Sequence, residues 1–223
     1  MKRTLVLLGL IVTIALPGIS FGQIPKVGNF GVGLNGGILL PVSGDVTRDS
    51  SFNDYFKVAP DLGAHVSFVP IRYFTLEAGF DYASLKMKDE VRPNAGRGPY
   101  FTTPYVYLDG KWNLGALIKS EKNIVNPYLL AGGGVYFWKV TDDGAGGDAV
   151  ILGNGEEFKK TSFGLQFGAG SEFFVAPNIS VFAEGKYHLI FAKDEEKFGE
   201  DFSNPSAISV TGGLTFYFPI GAK

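Results

Sequence analysis

The 223-residue chain carries a formal net charge of −2, contains no cysteine, and is 45% hydrophobic and 19% charged. Its length suits one large all-β domain or two small ones, and it lacks the several apolar runs of about 20 residues that a helical membrane bundle needs. Without cysteine there are no disulfides, thiol catalysis or zinc–thiolate sites; the near-neutral charge, with no basic stripe, excludes a nucleic-acid partner.

Aromatic residues reach 14%, with 20 Phe and 10 Tyr beside 31 Gly. That mixture suits many strands and tight turns, or a membrane barrel with aromatic belts. At the amino end, Met1-Lys2-Arg3 is a short positive head, Leu5 to Pro17 is apolar, and Ser20-Phe21-Gly22 brings small residues before Gln23. This is the layout of a secretory signal peptide over residues 1–22. The competing reading is a transmembrane anchor, for which the apolar core is short. Cleavage after Gly22 leaves 18 basic and 22 acidic residues on the domain 23–223, a net charge of −4.

From Asn29 onward the sequence alternates with a period of two, the mark of strands with two different faces. Eight such runs are predicted. The first, Asn29 to Val42, sets Phe30, Val32, Leu34, Ile38 and Leu40 against Gly31, Gly33, Asn35 and Gly37. The second, about Ala59 to Val69, sets Leu62, Ala64, Val66 and Phe68 against Gly63, His65 and Ser67. The third opposes Phe74, Leu76, Ala78, Phe80 and Tyr82 to Thr75, Glu77, Gly79 and Asp81. The fourth opposes Val106, Leu108, Gly110, Trp112 and Leu114 to Tyr107, Asp109, Lys111 and Asn113. The fifth, Pro127 to Val140, is apolar on both faces and its register stays open. In the sixth, Phe163, Leu165, Phe167, Ala169 and Phe173 face away from Gly164, Gln166, Gly168, Gly170 and Glu172. In the seventh, Ile179, Val181, Ala183, Tyr187 and Leu189 face away from Ser180, Glu184, Lys186 and His188. The last separates Ile208, Val210, Leu214, Phe216 and Phe218 from Ser209, Thr211, Gly213, Thr215 and Tyr217.

Alternation alone does not distinguish a soluble sandwich or lipocalin from a barrel with its apolar face outward. Three features do. The polar face is rich in glycine, where a water-exposed face would carry Thr, Lys and Glu; small residues let a narrow barrel close. That face also carries both charge signs, which need partners when buried. Connection length alternates as well: long at 43–58, 86–99, 141–160 and 192–205, tight at Pro70-Ile71-Arg72 and Ala176-Pro177-Asn178, and medium at 118–126. Outer-membrane barrels have short periplasmic turns and long external loops. The third feature is the carboxyl end, Thr211-Gly212-Gly213-Leu214-Thr215-Phe216-Tyr217-Phe218.

On these residues the chain resembles the small bacterial outer-membrane barrels: the barrel domain of outer membrane protein A, its short relatives and the porin-family barrels. The resemblance covers nearly all of 23–223 and rests on pattern. It implies an all-β fold, an eight-stranded antiparallel up-and-down transmembrane β-barrel, in the bacterial outer membrane. It implies contact with outer-membrane lipids and lipopolysaccharide, and with the barrel-assembly machinery through Thr211, Gly213, Phe216 and Phe218. In that family the last aromatic usually ends the chain, whereas Pro219 to Lys223 follow here. No cell-wall tether is implied, since the match ends with the barrel.

The expected lumenal polar network is Glu77, Asp81, Asp109, Lys111, Glu172, Glu184, Lys186 and His188, reading as a salt-bridged plug rather than an ion path, because an eight-stranded barrel is just wide enough for side chains to fill. His65 and Ser67 share a strand face, as in the His-x-Ser pair of lipid A esterases. They point inward with no acidic residue evident beside them, which favours a plain hydrogen bond over catalysis. Asp142, Asp143 and Asp148, with Asp194, Glu195, Glu196, Glu200 and Asp201, form acidic links whose spacing fits no EF-hand and reads as solvated charge; divalent ions bridging lipopolysaccharide phosphates are the alternative. Tyr73, Phe74, Tyr100, Phe101, Tyr105, Tyr136 and Trp138 lie near strand ends and are expected to form interfacial belts. The expected function is structural or surface interaction through the long loops, with no cofactor, metal or catalysis. A narrow channel for small or hydrophobic solutes is the alternative, and a lipid A esterase the remote one.

Overall fold

A computed structural model describes residues 27–47, 50–91, 99–117 and 124–219. The expected signal peptide lies outside the described residues. The long strands are β1 (Asn29–Ser43), β4 (Ala59–Ile71), β5 (Phe74–Lys86), β6 (Tyr100–Asn113), β7 (Val125–Thr141), β8 (Lys159–Ala176), β9 (Ile179–Ile190) and β10 (Ser206–Pro219). They close into one barrel in the order β1-β10-β9-β8-β7-β6-β5-β4, every pair antiparallel. Closure pairs the first strand with the last, Phe30 opposite Phe218 and Ile38 opposite Val210, so no edge is left open.

The predicted faces hold along all seven strands whose register was assigned. Leu34, Leu62, Phe80, Leu108, Phe167 and Phe218 are exposed on the outside, while Asp109, Gln166 and Ser180 are fully buried inside. A water-soluble barrel has the opposite arrangement. This outer surface is stable only against hydrocarbon, and the closed ladder satisfies the backbone groups that lipid would not. In β7 the structure decides what alternation left open: Tyr128, Leu130, Tyr136, Trp138 and Val140 point in, Leu129 and Phe137 out.

Both predicted tight turns shorten. Pairing runs through Ile71 opposite Phe74 and Ala176 opposite Ile179. The link between β7 and β8 carries isolated bridges, Thr141 to Ala149 and Ile151 to Glu157, so the 141–160 segment is partly a continuation of the hairpin. The link after β1 folds into a small ladder, β2 (Asp45–Thr47) with β3 (Ser50–Ser51), then a turn of helix, α1 (Phe52–Tyr55). A second helical turn, α2 (Glu195–Phe198), lies between β9 and β10. All four long links emerge at one end of the barrel; the other end holds the tight turns, the 3-10 turn Leu114–Leu117 and the described chain ends.

The inward glycines are sockets. A Cβ on Gly79 would meet the Tyr107 ring at 2.5 Å, one on Gly164 the Tyr136 ring at 2.6 Å, and one on Gly170 the Tyr128 hydroxyl at 2.5 Å. The Phe182 ring stands 2.7 Å from the Cβ position of Gly213. Each of these four inward rings therefore occupies the space a side chain would take on a glycine of a neighbouring strand, which lets a narrow lumen hold them.

A salt-bridged lumen under an aromatic cap

The lumen has three tiers. At the middle, Lys111 Nζ sits 2.7 Å from Glu77 Oε2 and 3.2 Å from Glu184 Oε2. Glu184 bridges onward to Lys186 at 3.0 Å, and Lys186 to Asp109 at 3.6 Å. Three strands thus meet through five side chains. They can do so because β5, β6 and β9 each place an inward residue at matching height, and long lysine stems span the gap. Aromatic faces complete the shell: Lys186 Nζ lies 4.1 Å from the Tyr107 ring centroid and Lys111 Nζ 4.8 Å from that of Tyr128. The Tyr128 hydroxyl donates to Glu184 Oε2 at 2.9 Å.

Toward the turn end, Glu172 accepts from Ser180 at 2.5 Å and from the Tyr217 hydroxyl at 2.6 Å. Asn126 donates to Asn113, which donates to Thr75. Val69, Phe174 and Tyr217 close that end. A residual cavity of about 10 Å³ beside Glu77, Lys111 and Glu172 has room for about one water. Toward the loop end, Asn35 donates to Asp81 at 2.7 Å. His188 contacts the Tyr136 hydroxyl and Ser209, both at 2.9 Å. Every predicted network residue is therefore buried in the lumen, with Asp61, Asn35, Gln166 and Tyr136 joining it. Asp61 sits on the inner face of β4 before its alternating run becomes clear, and Tyr136 lies in the one run that is apolar on both faces.

The loop end is the largest departure from expectation. Phe101, Tyr105, Tyr136 and Trp138 are 1–2% exposed and form no interfacial belt. Of the predicted belt residues Tyr73 is exposed, and Phe74 packs edge-on against the outward Trp112. The inward aromatics instead join rings delivered by the links. Phe52 from α1 meets Phe101 at 4.9 Å, Phe101 stacks on Trp138 at 5.6 Å, and Trp138 stacks on Phe202 at 5.7 Å. Phe158 and Phe198 pack on the same tryptophan. The row of rings crosses the barrel mouth. These residues lie toward the strand ends but point inward, because an end covered by folded loops offers an apolar interior, so the inward face there carries rings rather than charge.

The links are braced to hold this cap. Ser51 donates its hydroxyl to Asp54 at 2.7 Å and its backbone N–H at 3.1 Å, fixing the start of α1 and holding the Asp54 carboxyl below its usual range. At α2, Asp194 accepts from the Lys197 N–H, and Lys160 pairs with it at 3.1 Å, which lowers its pKa. Lys193 pairs with Glu195 at 2.6 Å. The acidic links are thus partly neutralised by neighbouring lysines, and among the described residues no group of three His, Asp or Glu is placed to hold a metal ion.

His65 and Ser67 do share the inner face of β4. The sequence suggested no acidic neighbour, but β5 supplies one: Glu77 lies opposite Ser67 in register and 3.9 Å from His65 Nε2. The same ring nitrogen bonds Thr215 at 3.1 Å, while the Ser67 hydroxyl has no hydrogen-bond partner among the described residues. A nucleophile needs its base within hydrogen-bond reach, and here the imidazole engages threonine. Ser67→Ala is expected to leave lipid A acylation unchanged in cells overexpressing the protein; loss of an acyl-hydrolysis product would reverse this assignment. At the carboxyl end, Thr211 and Gly213 lie on the inner face of β10, Phe216 and Phe218 on the outer.

No protein-family model and no curated protein matches the chain. Solved structures do. Neisserial surface protein A matches with a TM-score of 0.56 at 18% identity, covering 86% of this chain and 99% of that one. The amino-terminal barrel domain of Pseudomonas aeruginosa OprF matches at 0.51 with 10% identity, covering 87% and 100%. Ail, the attachment invasion locus protein of Yersinia pestis, matches at 0.50 with 14% identity, covering 86% and 100%. This chain has the fold of the small bacterial outer-membrane β-barrels. Such barrels cross the outer membrane by their strands, and the apolar outer belt of this one is the surface that crossing requires.

Proposed function

We propose that the protein is a sealed barrel of the bacterial outer membrane, acting through surface interaction by its four long links rather than by conduction or catalysis. The observation that carries the reading is the row Phe52, Phe101, Trp138 and Phe202 across the mouth, above a lumen filled by Lys111, Glu184, Lys186 and Tyr107. A path for ions would have to break ion pairs buried at 0–9% side-chain exposure, and buried pairs are costly to separate. The loops themselves are built surfaces with their own cores and caps, which suits presentation to a partner. The names of Neisserial surface protein A and of the attachment invasion locus protein point to the same side of the membrane.

The test is single-channel recording of the refolded protein in planar bilayers, with folding verified by heat-modifiable gel migration. Silence is the expected result. Discrete, reproducible steps would replace the sealed barrel by a narrow channel and make Glu77, Asp81, Glu184 and Lys186 its selectivity residues.

A further inference from the structure

The outer face of the barrel is graded on one side only. Cross-strand register stacks three rows over β5, β6, β7 and β8. The lowest is Phe80, Val106, Val135 and Phe163; the next is Tyr82, Pro104, Phe137 and Thr161; the highest is Ser84, Thr102, Lys139 and Lys159. Toward the loop end, the apolar lowest row therefore gives way to a top row of two hydroxyls and two lysines. The β7–β8 link folds back over the top row, where Thr102 donates to the Ala145 carbonyl at 3.1 Å and Lys139 Nζ to the Gly147 carbonyl at 2.8 Å. Between this lip and the rings is a cavity of about 510 Å³, with Tyr82, Pro104 and Phe137 along its base and Lys139, Lys160 and Lys197 around it.

Its charge is not fully answered by the protein. Lys159 pairs with Glu157, Lys160 with Asp194 and Lys197 with Glu156, while Lys139 has no carboxylate partner among the described residues. These partners are exposed or half-exposed, and such pairs bind weakly enough for an anion to displace them. Lysines often reach from a membrane surface to water without binding anything. Here, however, β1, β4, β9 and β10 carry Leu40, Pro60, Leu189 and Ile208 on the outer face at their loop ends and no lysine within the strand, and the lysines just beyond them, Lys57 and Lys193, are paired with Asp89 and Glu195, so the basic row over the cavity is a local patch.

We propose that this cavity binds a phosphorylated acyl lipid of the outer leaflet, its phosphate on Lys139 and Lys159 and an acyl chain across Phe137, Pro104 and Tyr82. Lipid is favoured over a soluble polyanion because the base of the cavity runs without a break into the hydrocarbon-facing rows, where acyl chains already lie. The site is on the outside of the barrel and is independent of whether the lumen conducts.

The test uses the full refolded chain in neutral-detergent micelles, with binding read by native mass spectrometry. The probes are diphosphoryl lipid A, its dephosphorylated counterpart, and dextran sulfate as soluble polyanion. Diphosphoryl lipid A should bind about tenfold more tightly than the dephosphorylated form, and Lys139→Gln/Lys159→Gln should remove about that factor, as expected for losing charge-assisted bonds. Lys57→Gln/Lys88→Gln, the same charge change on two other links, should match the parent. Phe137→Ser keeps the lysines and should weaken both lipids alike. Equal binding of the two lipids, or equal loss in the two lysine pairs, overturns the site. Binding of dextran sulfate without lipid A makes it a soluble-polyanion site and overturns the lipid.

Discussion

Replacing Lys111 with Met is expected to destabilise the barrel by about 3–5 kcal/mol, the usual cost of removing one partner from a buried ion pair. Among the described residues Lys111 is the one lysine that holds Glu77, at 2.7 Å, and it shares Glu184 with Lys186. Without it, Glu77 keeps only the imidazole of His65 at 3.9 Å. A methionine fills most of the stem volume, so the loss reports charge rather than packing. The double variant Lys111→Met/Glu77→Gln should recover at least half of the cost, because both halves of the closest pair are gone. Urea unfolding in lipid vesicles, followed by the fluorescence of Trp112 and Trp138, gives both values. A single variant within about 1 kcal/mol of the parent, the range of exposed pairs, would mean that the lumen is wet and the sealed-core account is wrong.

Gly168→Ala should be nearly as damaging, by about 3 kcal/mol, at the upper end for overpacking a tight interior. A Cβ there would stand 2.2 Å from the carbonyl oxygen of Gly185 and 3.1 Å from the Cα of Lys186. Both are backbone atoms of the paired strand, so relief requires opening the β8–β9 ladder beneath the central lysine. Gly185→Ala is the matched control: its Cβ would point to the outer face, with Ser209 O nearest at 3.8 Å. That change should stay within about 0.5 kcal/mol of the parent, like an ordinary surface substitution. The folded fraction after refolding, scored by heat-modifiable migration, separates the two. Equal behaviour would show that the inner glycines are not needed for close strand approach.

Alternation in the sequence was enough to place the strands and to assign faces, since a strand has only two and one must meet hydrocarbon. Glu77, Asp109, Lys111, Glu184 and Lys186 could be assigned to the lumen from parity alone, and all five are there. Who pairs with whom could not be read, because Lys111 and Glu184 are 73 residues apart and meet only when the barrel closes. His65 acquired its carboxylate neighbour in the same way, from β5. Tyr105 shares the parity of the inward Tyr107, whereas the direction of Tyr136 and Trp138 was undecidable in a strand that is apolar on both faces. It was set by α1, α2 and their links, which bring Phe52, Phe198 and Phe202 over the mouth and make the inside there as apolar as the outside. Local periodicity, a property of each strand, thus determined the fold; the lumenal pairs, the cap and the basic cavity are properties of strand register and loop docking, which only the tertiary structure decided.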